Sequence, residues 1–407
     1  MKILLINNHL NLKEGGGPAR YVLSVKKLLE KDGHKVATFS TTPSAEPNDY
    51  SVPGLDFSVI RSKNIIKKFK AGLRSIYNTE TASRLTHILE EIKPDIAHCH
   101  NIYNHLTPAI LPILKSRGTP VIMTIHDLKL ACPNHRMFTQ GKICERCKPH
   151  RYYHALFHRC FLNSWQASFA GCLEAYIHYI KKYFTKYVDL FISPSQFCSK
   201  KLIDWGFPSD KITLLNNFVE AKPYSLQPKT NQIFYFGLLN NVKGIHVLIE
   251  AMKYIRHEPK LLLAGDGPIK TNISKAISRE GLSNVYIEGH LEDATLDNTI
   301  QESLTSVFPS LCYENQPFGI LEAMSFGRAV VASRIGGIPE LVTDGKNGLL
   351  FTPGDSKDLA SKLNWLIQHP KETEEMGHRA HQRIKDSFSP EEHYKKLMNL
   401  YEGLIKK

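Results

Sequence analysis

Short apolar runs alternate with stretches whose apolar positions recur every three to four residues, from one end of the chain to the other. "KILLIN" at 2–7, "HKVATFS" at 34–40, "PDIAHCH" at 94–100, "PVIMTIHD" at 120–127 and "VDLFISPS" at 188–195 read as strands. Helical periods fill the gaps, as over Tyr21 to Lys31. After residue 230 the grammar restarts: "NQIFYFG", "PKLLLAGDG", "SNVYIEG", "TSVFPS", "AVVAS" and "GLLF" are separated by helices such as Ile245 to Tyr254. Strands that are apolar throughout are buried on both faces, so each half is expected to be a parallel sheet sandwiched by helices. The predicted fold class is α/β, with two Rossmann-like, doubly wound domains.

The boundary is expected between Asn217 and Asn231, a polar stretch with two prolines and no period. This predicts an N-terminal domain over 1–218, a C-terminal domain over 219–387, and a final helix over 388–407 that packs back across them. Ser389 suits its N-cap, Pro390 its first position, and Tyr394, Leu397, Tyr401 and Leu404 one of its faces.

The chain has 407 residues, 42% apolar and 22% charged, which excludes disordered and fibrous classes and leaves room for two cores. No apolar run reaches the ~18 residues of a bilayer crossing, and the opening run is short for a signal peptide, so a cytoplasmic protein with reduced cysteines is expected. Charge is uneven. Residues 1–218 hold 30 Lys and Arg against 16 Asp and Glu, whereas residues 219–407 hold 22 against 23. A basic half implies an anionic neighbour of some kind.

In open α/β sheets ligands bind beyond the carboxyl ends of the strands, so the two sheets are expected to face each other across a cleft holding the site. After the first strand, Gly15, Gly16 and Gly17 precede a helix, where backbone without Cβ can approach a phosphate. A flexible turn is the plainer reading. His126, with Asp127, ends a strand and reaches the cleft, or else is a core histidine. Gly237 ends another strand, and Lys243 with Gly244 precedes a helix, where a cation meets phosphate oxygens, although a surface lysine reads the same. Glu314 and Asn315 lie before a helix that opens at Pro317 and stops at Gly327, while Glu322 lies within it and leans back toward its start. Either glutamate alone reads as a cap; the pair frames one site. Gly336 and Gly337 add a further glycine turn.

Together these segments resemble the retaining glycosyltransferases of family 4, which have the GT-B fold. The resemblance spans nearly the whole chain and rests on "GGGPAR", "TIHD", "SPSQF" at 193–197, "GLLNNVKG", "AGDGP" at 264–268 and the E-x7-E from Glu314 to Glu322. It implies a nucleotide-sugar donor on the second domain, a saccharide or lipid-linked acceptor on the first, and transfer with retained anomeric configuration. It implies Lys243 on the diphosphate, Glu322 on the ribose hydroxyls, Glu314 on the donor sugar, His126 facing that sugar, and the backbone of Asn315, Gln316, Pro317, Phe318 and Gly319 around sugar and phosphate. Gly15, Gly16, Gly17 and Gly237 complete the donor-binding set. No D-x-D motif occurs, so catalysis is expected to require no metal or other cofactor. Two departures stand out. Leu238 occupies the place of the family's arginine beside the phosphates, and the glycine of the Glu314 loop comes late, at Gly319.

Cys132, Cys144, Cys147 and Cys160 form C-x11-C-x2-C-x12-C within a possible insertion over 130–165. Four thiolates would suit a structural zinc; unpaired thiols are the alternative, and His135, His150, His154 or Cys172 could replace a ligand. Residues 61–75, "RSKNIIKKFKAGLRS", carry six cations and no acid, with Ile65, Ile66, Phe69 and Leu73 on one helical face. That pattern fits either a helix on anionic lipid or a solvated helix covering its own domain. The expected function is sugar transfer in polysaccharide or glycolipid synthesis, peripheral to the inner membrane face. A catalytically weak nucleotide-sugar-binding scaffold is the alternative. Nucleic-acid binding is disfavoured, because it explains neither Glu314 nor Glu322.

Overall fold

The computed structural model describes residues 1–42, 49–55, 65–224, 228 and 230–406. The chain divides into two compact units. The first comprises Met1–Gln140, Cys144–Asn216 and His393–Lys407, and the second Gly141–Ile143 and Asn217–Glu392.

The first unit is built on seven strands: β1 (Lys2–Ile6), β2 (Lys35–Ser40), β3 (Asp49–Ser51), β4 (Ile96–Cys99), β5 (Val121–Thr124), β8 (Leu190–Ser193) and β9 (Ile212–Leu214). Two-residue strands β6 (Phe138–Thr139) and β7 (Lys142–Ile143) form a separate ladder. The order β3-β2-β1-β4-β5-β8-β9, with every neighbouring pair parallel, is that of a doubly wound sheet. In the second unit β10 (Gln232–Phe236), β11 (Lys260–Ala264), β12 (Val285–Glu288), β13 (Thr305–Phe308), β14 (Val330–Ser333) and β15 (Gly348–Phe351) pair in parallel in the order β12-β11-β10-β13-β14-β15. The continuous apolar runs are the reason: β4, β5, β13, β14 and β15 are buried at every position.

The helices close where side chains satisfy their ends. Asn78 accepts from the Thr81 amide at the start of Thr79–Ile92, and Asp355 accepts from the Lys357 and Asp358 amides at the start of Ser356–Gln368. The helix Leu12–Lys31 departs from expectation. It opens at Leu12, capped by Asn11, and is interrupted at Gly16 (φ 52°, ψ −136°), so the long straight segment starts only around Pro18. The last helix, Pro390–Ile405, buries His393, Leu397, Met398 and Tyr401. Tyr394 and Leu404, expected on that face, are half-buried at its flank, where Tyr394 bonds His34 and Asp32 instead.

Polar rings fill the place where that helix meets the first sheet. Nδ1 of His98 lies 2.6 Å from the Tyr401 hydroxyl and its Nε2 lies 2.7 Å from Thr124 Oγ1. Nε2 of His393 lies 3.1 Å from the Tyr21 hydroxyl, and its Nδ1 is 2.8 Å from the Asn216 carbonyl oxygen. His100 and His126 approach to 3.1 Å between ring nitrogens. Burial holds all four imidazoles neutral: His98 and His100 fall well below the usual value, His126 to about 3 and His393 to about 4.

A histidine depressed in the folded state binds its proton only in the unfolded chain, so its stabilisation is complete above pH ~6.5 and is lost as pH falls toward the folded value. Each group contributes up to about 1.4 kcal/mol per pH unit in that window. Asp127, raised to about 6 by burial, acts in the opposite sense, as one group against four. The thermal midpoint is therefore expected to fall steeply between pH 6.5 and pH 4.5, and a flat profile over that range would contradict the neutral cluster. Tyr401→Phe, which strips His98 of a buried partner, is expected to cost about 1–3 kcal/mol in urea unfolding at pH 7.5.

Candidate active site

In the second unit the loops after β10, β11, β13 and β14 leave the carboxyl edge of strands adjacent in the sheet. Sheet order therefore gathers residues far apart in sequence. The loop after β10 turns through a short helical segment, Asn241–Lys243, in which the Asn240 side chain accepts from the Lys243 amide. Gly244 ends it at φ 69°, and a Cβ there would lie 1.9 Å from the Pro309 carbonyl oxygen. Only glycine allows this contact, which brings the Lys243 loop against the loop after β13. The amide of Leu311 donates to the Val242 carbonyl at 2.8 Å in the same place.

The result is an ion pair. Lys243 Nζ lies 2.6 Å from Glu314 Oε1, which also accepts from Ser310 Oγ at 2.7 Å. Glu314 is held from behind by the glycine turn after β14. The Gly337 amide donates to its carbonyl oxygen at 2.7 Å, and a Cβ on Gly336 would stand 2.4 Å from that oxygen. The nearby Tyr235 hydroxyl donates to the Leu238 carbonyl oxygen at 3.0 Å; burial and the Glu314 charge raise its pKa.

Beside Glu314, Asn315 is buried, yet neither its Nδ2 nor its Oδ1 has a hydrogen-bond partner. Two unmet amide groups cost about 1–3 kcal/mol each, which the fold tolerates where a ligand completes them. Gln316 is bound by its own unit: its Oε1 accepts from the Asn217 amide, while its Nε2 is buried without a partner. Pro317 is the N-cap, not the first helical residue, of the helix Phe318–Ser325, and Glu322 is buried within that helix. The late glycine has a packing cause: a Cβ on Gly319 would lie 2.7 Å from the Phe308 ring. Leu238 is exposed at the loop tip, and Gly237 begins that loop at φ 139°.

The first unit carries its own concavity beyond β1, β4 and β5. A cavity of about 240 Å³ is lined by Asn7, Asn8, His9, Glu14, Asn101, Tyr103, His105, Asp127 and Lys129, with Gly15 in its wall. Gly15 packs on the chain, since a Cβ would come 2.6 Å from the His9 carbonyl oxygen, and Gly17 continues the helix past the break at Gly16. Asn101 Oδ1 and the Tyr103 hydroxyl are buried without partners. Asp127 accepts from the Lys129 amide at 2.8 Å. His126 stands next to this residue but lies against His100 and Tyr21. Asn7, Asn101 and Tyr103 escaped sequence reading; their only signal is position just after an apolar strand.

Residues 15–222, just over half the chain, match Glycosyltransferase Family 4, and residues 230–369 match Glycosyl transferases group 1. The chain belongs to glycosyltransferase family 4. Among family relatives, a D-rhamnosyltransferase of Pseudomonas aeruginosa is 29% identical over 158 residues, covering 38% of this chain and 41% of that protein. The matched stretch thus spans well under half the length of that relative. An MMP alpha-(1->4)-mannosyltransferase of Mycolicibacterium hassiacum is 25% identical across 96% of this chain and 95% of its own. The fold is that of solved GT-B-like structures. A sucrose-phosphate synthase from Thermosynechococcus elongatus superposes with TM-score 0.73 at 20% identity over 100% of this chain and 99% of its own. Anabaena HepE in complex with UDP-glucose gives 0.67 at 19% identity over 99% and 100%.

The four cysteines of this family 4 chain lie between β5 and the helix Trp165–Ile180. Burial raises Cys132 to about 11, with Cys160 and Cys144 adding to the shift, and burial followed by the neighbouring thiols raises Cys147 further. The thiols are close enough to sense one another, but among the described residues no three His, Cys, Asp or Glu side chains are arranged to hold a metal. Four thiols are the kind of donor set that suits zinc.

Gly244→Ala should tell whether the close contact with Pro309 builds the ion pair. It is expected to destabilise the chain by about 2 kcal/mol or more, through both strain at positive φ and backbone overlap. A thermal midpoint within a degree of wild type would show that the loop does not need it.

Proposed function

We propose that this chain transfers a sugar from a nucleotide-sugar donor to a saccharide acceptor, retaining anomeric configuration, in polysaccharide or glycolipid synthesis. The observation that carries the reading is the Lys243–Glu314 pair beside Asn315, whose buried amide is unsatisfied at the carboxyl edge of the second sheet. In the proposed cycle the donor diphosphate draws Lys243 from Glu314, because two phosphate charges outcompete one carboxylate. Glu314 and the Asn315 amide then bind sugar hydroxyls, and Glu322 takes the ribose. The bond from the anomeric carbon to the diphosphate oxygen breaks, and the departing oxygen accepts the proton of the acceptor hydroxyl as that hydroxyl bonds the same face. Lys243 and the loop amides stabilise the developing negative charge.

The acceptor is proposed to sit in the first unit's cavity, where Asn101, Tyr103 and Asp127 offer a neutral acceptor, a hydroxyl and a carboxylate to a sugar ring. The relatives' printed activities, rhamnosyl and mannosyl transfer, support a hexose donor. No helix among the described residues is long and apolar enough to cross a membrane. We place the protein at the cytoplasmic face, acting on a lipid-linked saccharide. On the donor set alone we also propose zinc on Cys132, Cys144, Cys147 and Cys160, bracing the insertion and taking no part in the reaction.

A thermal-shift panel of nucleotides and nucleotide-sugars tests the donor reading, since a ligand of the folded state raises the midpoint as ln(1 + [L]/Kd). One nucleotide-sugar is expected to stand out. Lys243→Met should weaken its binding about 10- to 100-fold, the strength of a charged hydrogen bond. Glu314→Gln, which removes the negative charge facing Lys243, should leave nucleotide affinity equal or higher while cutting transfer about 100-fold or more. Binding without turnover in the wild type would favour the scaffold reading, for which Leu238 in place of the arginine is the motive. For the cysteines, about one zinc per chain after purification is expected, and metal-free protein whose melting ignores chelator would remove that proposal.

A further inference from the structure

The helix Trp165–Ile180 is inside out. Its inward side is small or polar: Ser168, Gly171, Cys172, Glu174 and His178 are buried. Its outward side carries Trp165, Phe169, Leu173 and Ile180, which at 3.6 residues per turn fall within about 80° of arc. Phe169 is 57% exposed and Ile180 69%. In the segment just before the helix, Phe157 is 64% exposed and Leu162 82%.

This orientation is fixed by the buried side. Lys129 Nζ pairs with Glu174 at 3.0 Å with both side chains buried, and also donates to the Pro133 carbonyl. Nε2 of His178 lies 3.1 Å from the Ile76 carbonyl oxygen, Ser168 Oγ accepts from the Phe161 amide, and Gly171 seats against the Phe161 ring. Rotating the apolar stripe inward would expose it to none of these partners and strand two charges. The stripe is therefore held outward against the hydrophobic effect, as expected of a surface that meets something apolar.

Charge says what that is. Between Arg146 and Lys186 the sequence has seven Lys and Arg against one acid, Glu174, which is buried. Arg159 stacks over Trp165, with 5.0 Å to the ring centroid, and Lys181, Lys182 and Lys186 are exposed just beyond the helix end. The neighbouring helix Ile65–Ile76 contains no acid; on it Lys70 is exposed and Arg74 pairs with Glu80 of the next helix. Part of the basic amphipathic stretch noted in the sequence, residues 61–64, lies outside the described residues, and what the structure adds is a different helix beside it.

An apolar stripe bearing tryptophan and phenylalanine, flanked by cations and with no exposed acid on its own helix, complements the headgroup and acyl boundary of an anionic bilayer. A protein partner or a second copy would have to be strongly acidic around an apolar centre, whereas a second copy of this surface is itself basic and would be repelled. We propose that Phe157, Leu162, Trp165, Phe169, Leu173 and Ile180 seat the first unit on an anionic bilayer, with Arg159, Lys181 and Lys182 on the headgroups. The proposal does not depend on the donor reading, because its test reads binding and not transfer.

Full-length protein is sedimented with phosphatidylcholine vesicles with and without about one-third phosphatidylglycerol, at low and high salt, while tryptophan emission is followed. Binding to the anionic vesicles alone is expected, weakened by salt, with a blue shift that Trp165→Phe abolishes. Phe169→Ser with Ile180→Ser should lower the partition at least about tenfold. Lys181→Gln with Lys182→Gln should lower it about 25-fold at low salt. All these side chains are exposed, so the thermal midpoints should match wild type. No binding at low salt would overturn the proposal, as would binding that is indifferent to Phe169 and Ile180 but lost when Lys67, Lys68 and Lys70 become serine. A dimer that the Phe169 and Ile180 changes dissolve, with vesicles ignored, would assign the stripe to a second copy instead.

Discussion

Backbone meets backbone, with no side chain between, where the loops of the second sheet converge. Gly244 lies against the Pro309 carbonyl and Gly336 against that of Glu314, so the loops after three strands form one rigid surface. The ion pair of Lys243 and Glu314, the position of Ser310 and the burial of Asn315 all follow from that approach. A methyl group at either glycine would stand within 2.4 Å of a carbonyl oxygen, so the loops would have to move apart. The parallel sheet supplies the other half of the constraint, since it delivers every carboxyl end to the same edge.

The first unit meets a different demand. Its sheet ends in polar rings, and the last helix closes over them with Tyr401 and His393. Neutral imidazoles cost less to bury where both nitrogens have partners, as in His98 and His393, although His100 Nε2 is buried without one. His126 belongs to this network as much as to the strand end beside the cavity, so its position is set by His100 and Tyr21. The outward stripe of Trp165–Ile180 uses the same device with the opposite result: a buried polar pair commits a helix face, and apolar side chains go to the surface.

Strand runs, the two-domain grammar and the family motifs were legible in the sequence because each is local. A parallel strand needs an unbroken apolar run, and a phosphate loop needs glycine at a turn, whatever the neighbours do. Lys243, Glu314, Asn315 and Glu322 could be picked out for that reason. The late Gly319 looked like a displaced donor glycine and is explained by the Phe308 ring, a contact between strand and helix that no spacing announces. The break at Gly16 was hidden because Asn11 caps a first turn ahead of it.

By itself, then, the chain's pattern determined two parallel α/β units and the glycine-bearing loops that follow their strands, since these depend on periods of two to four residues and on turn-forming types. Which residues pair was decided only by the tertiary structure. Lys243 with Glu314, Lys129 with Glu174 and His98 with Tyr401 are 71, 45 and 303 residues apart. Sheet order and close backbone contact, not local preference, bring such partners within 3 Å. For the same reason the helix Trp165–Ile180 could be read as apolar from its residues, while the direction it faces was set by a charge on another loop.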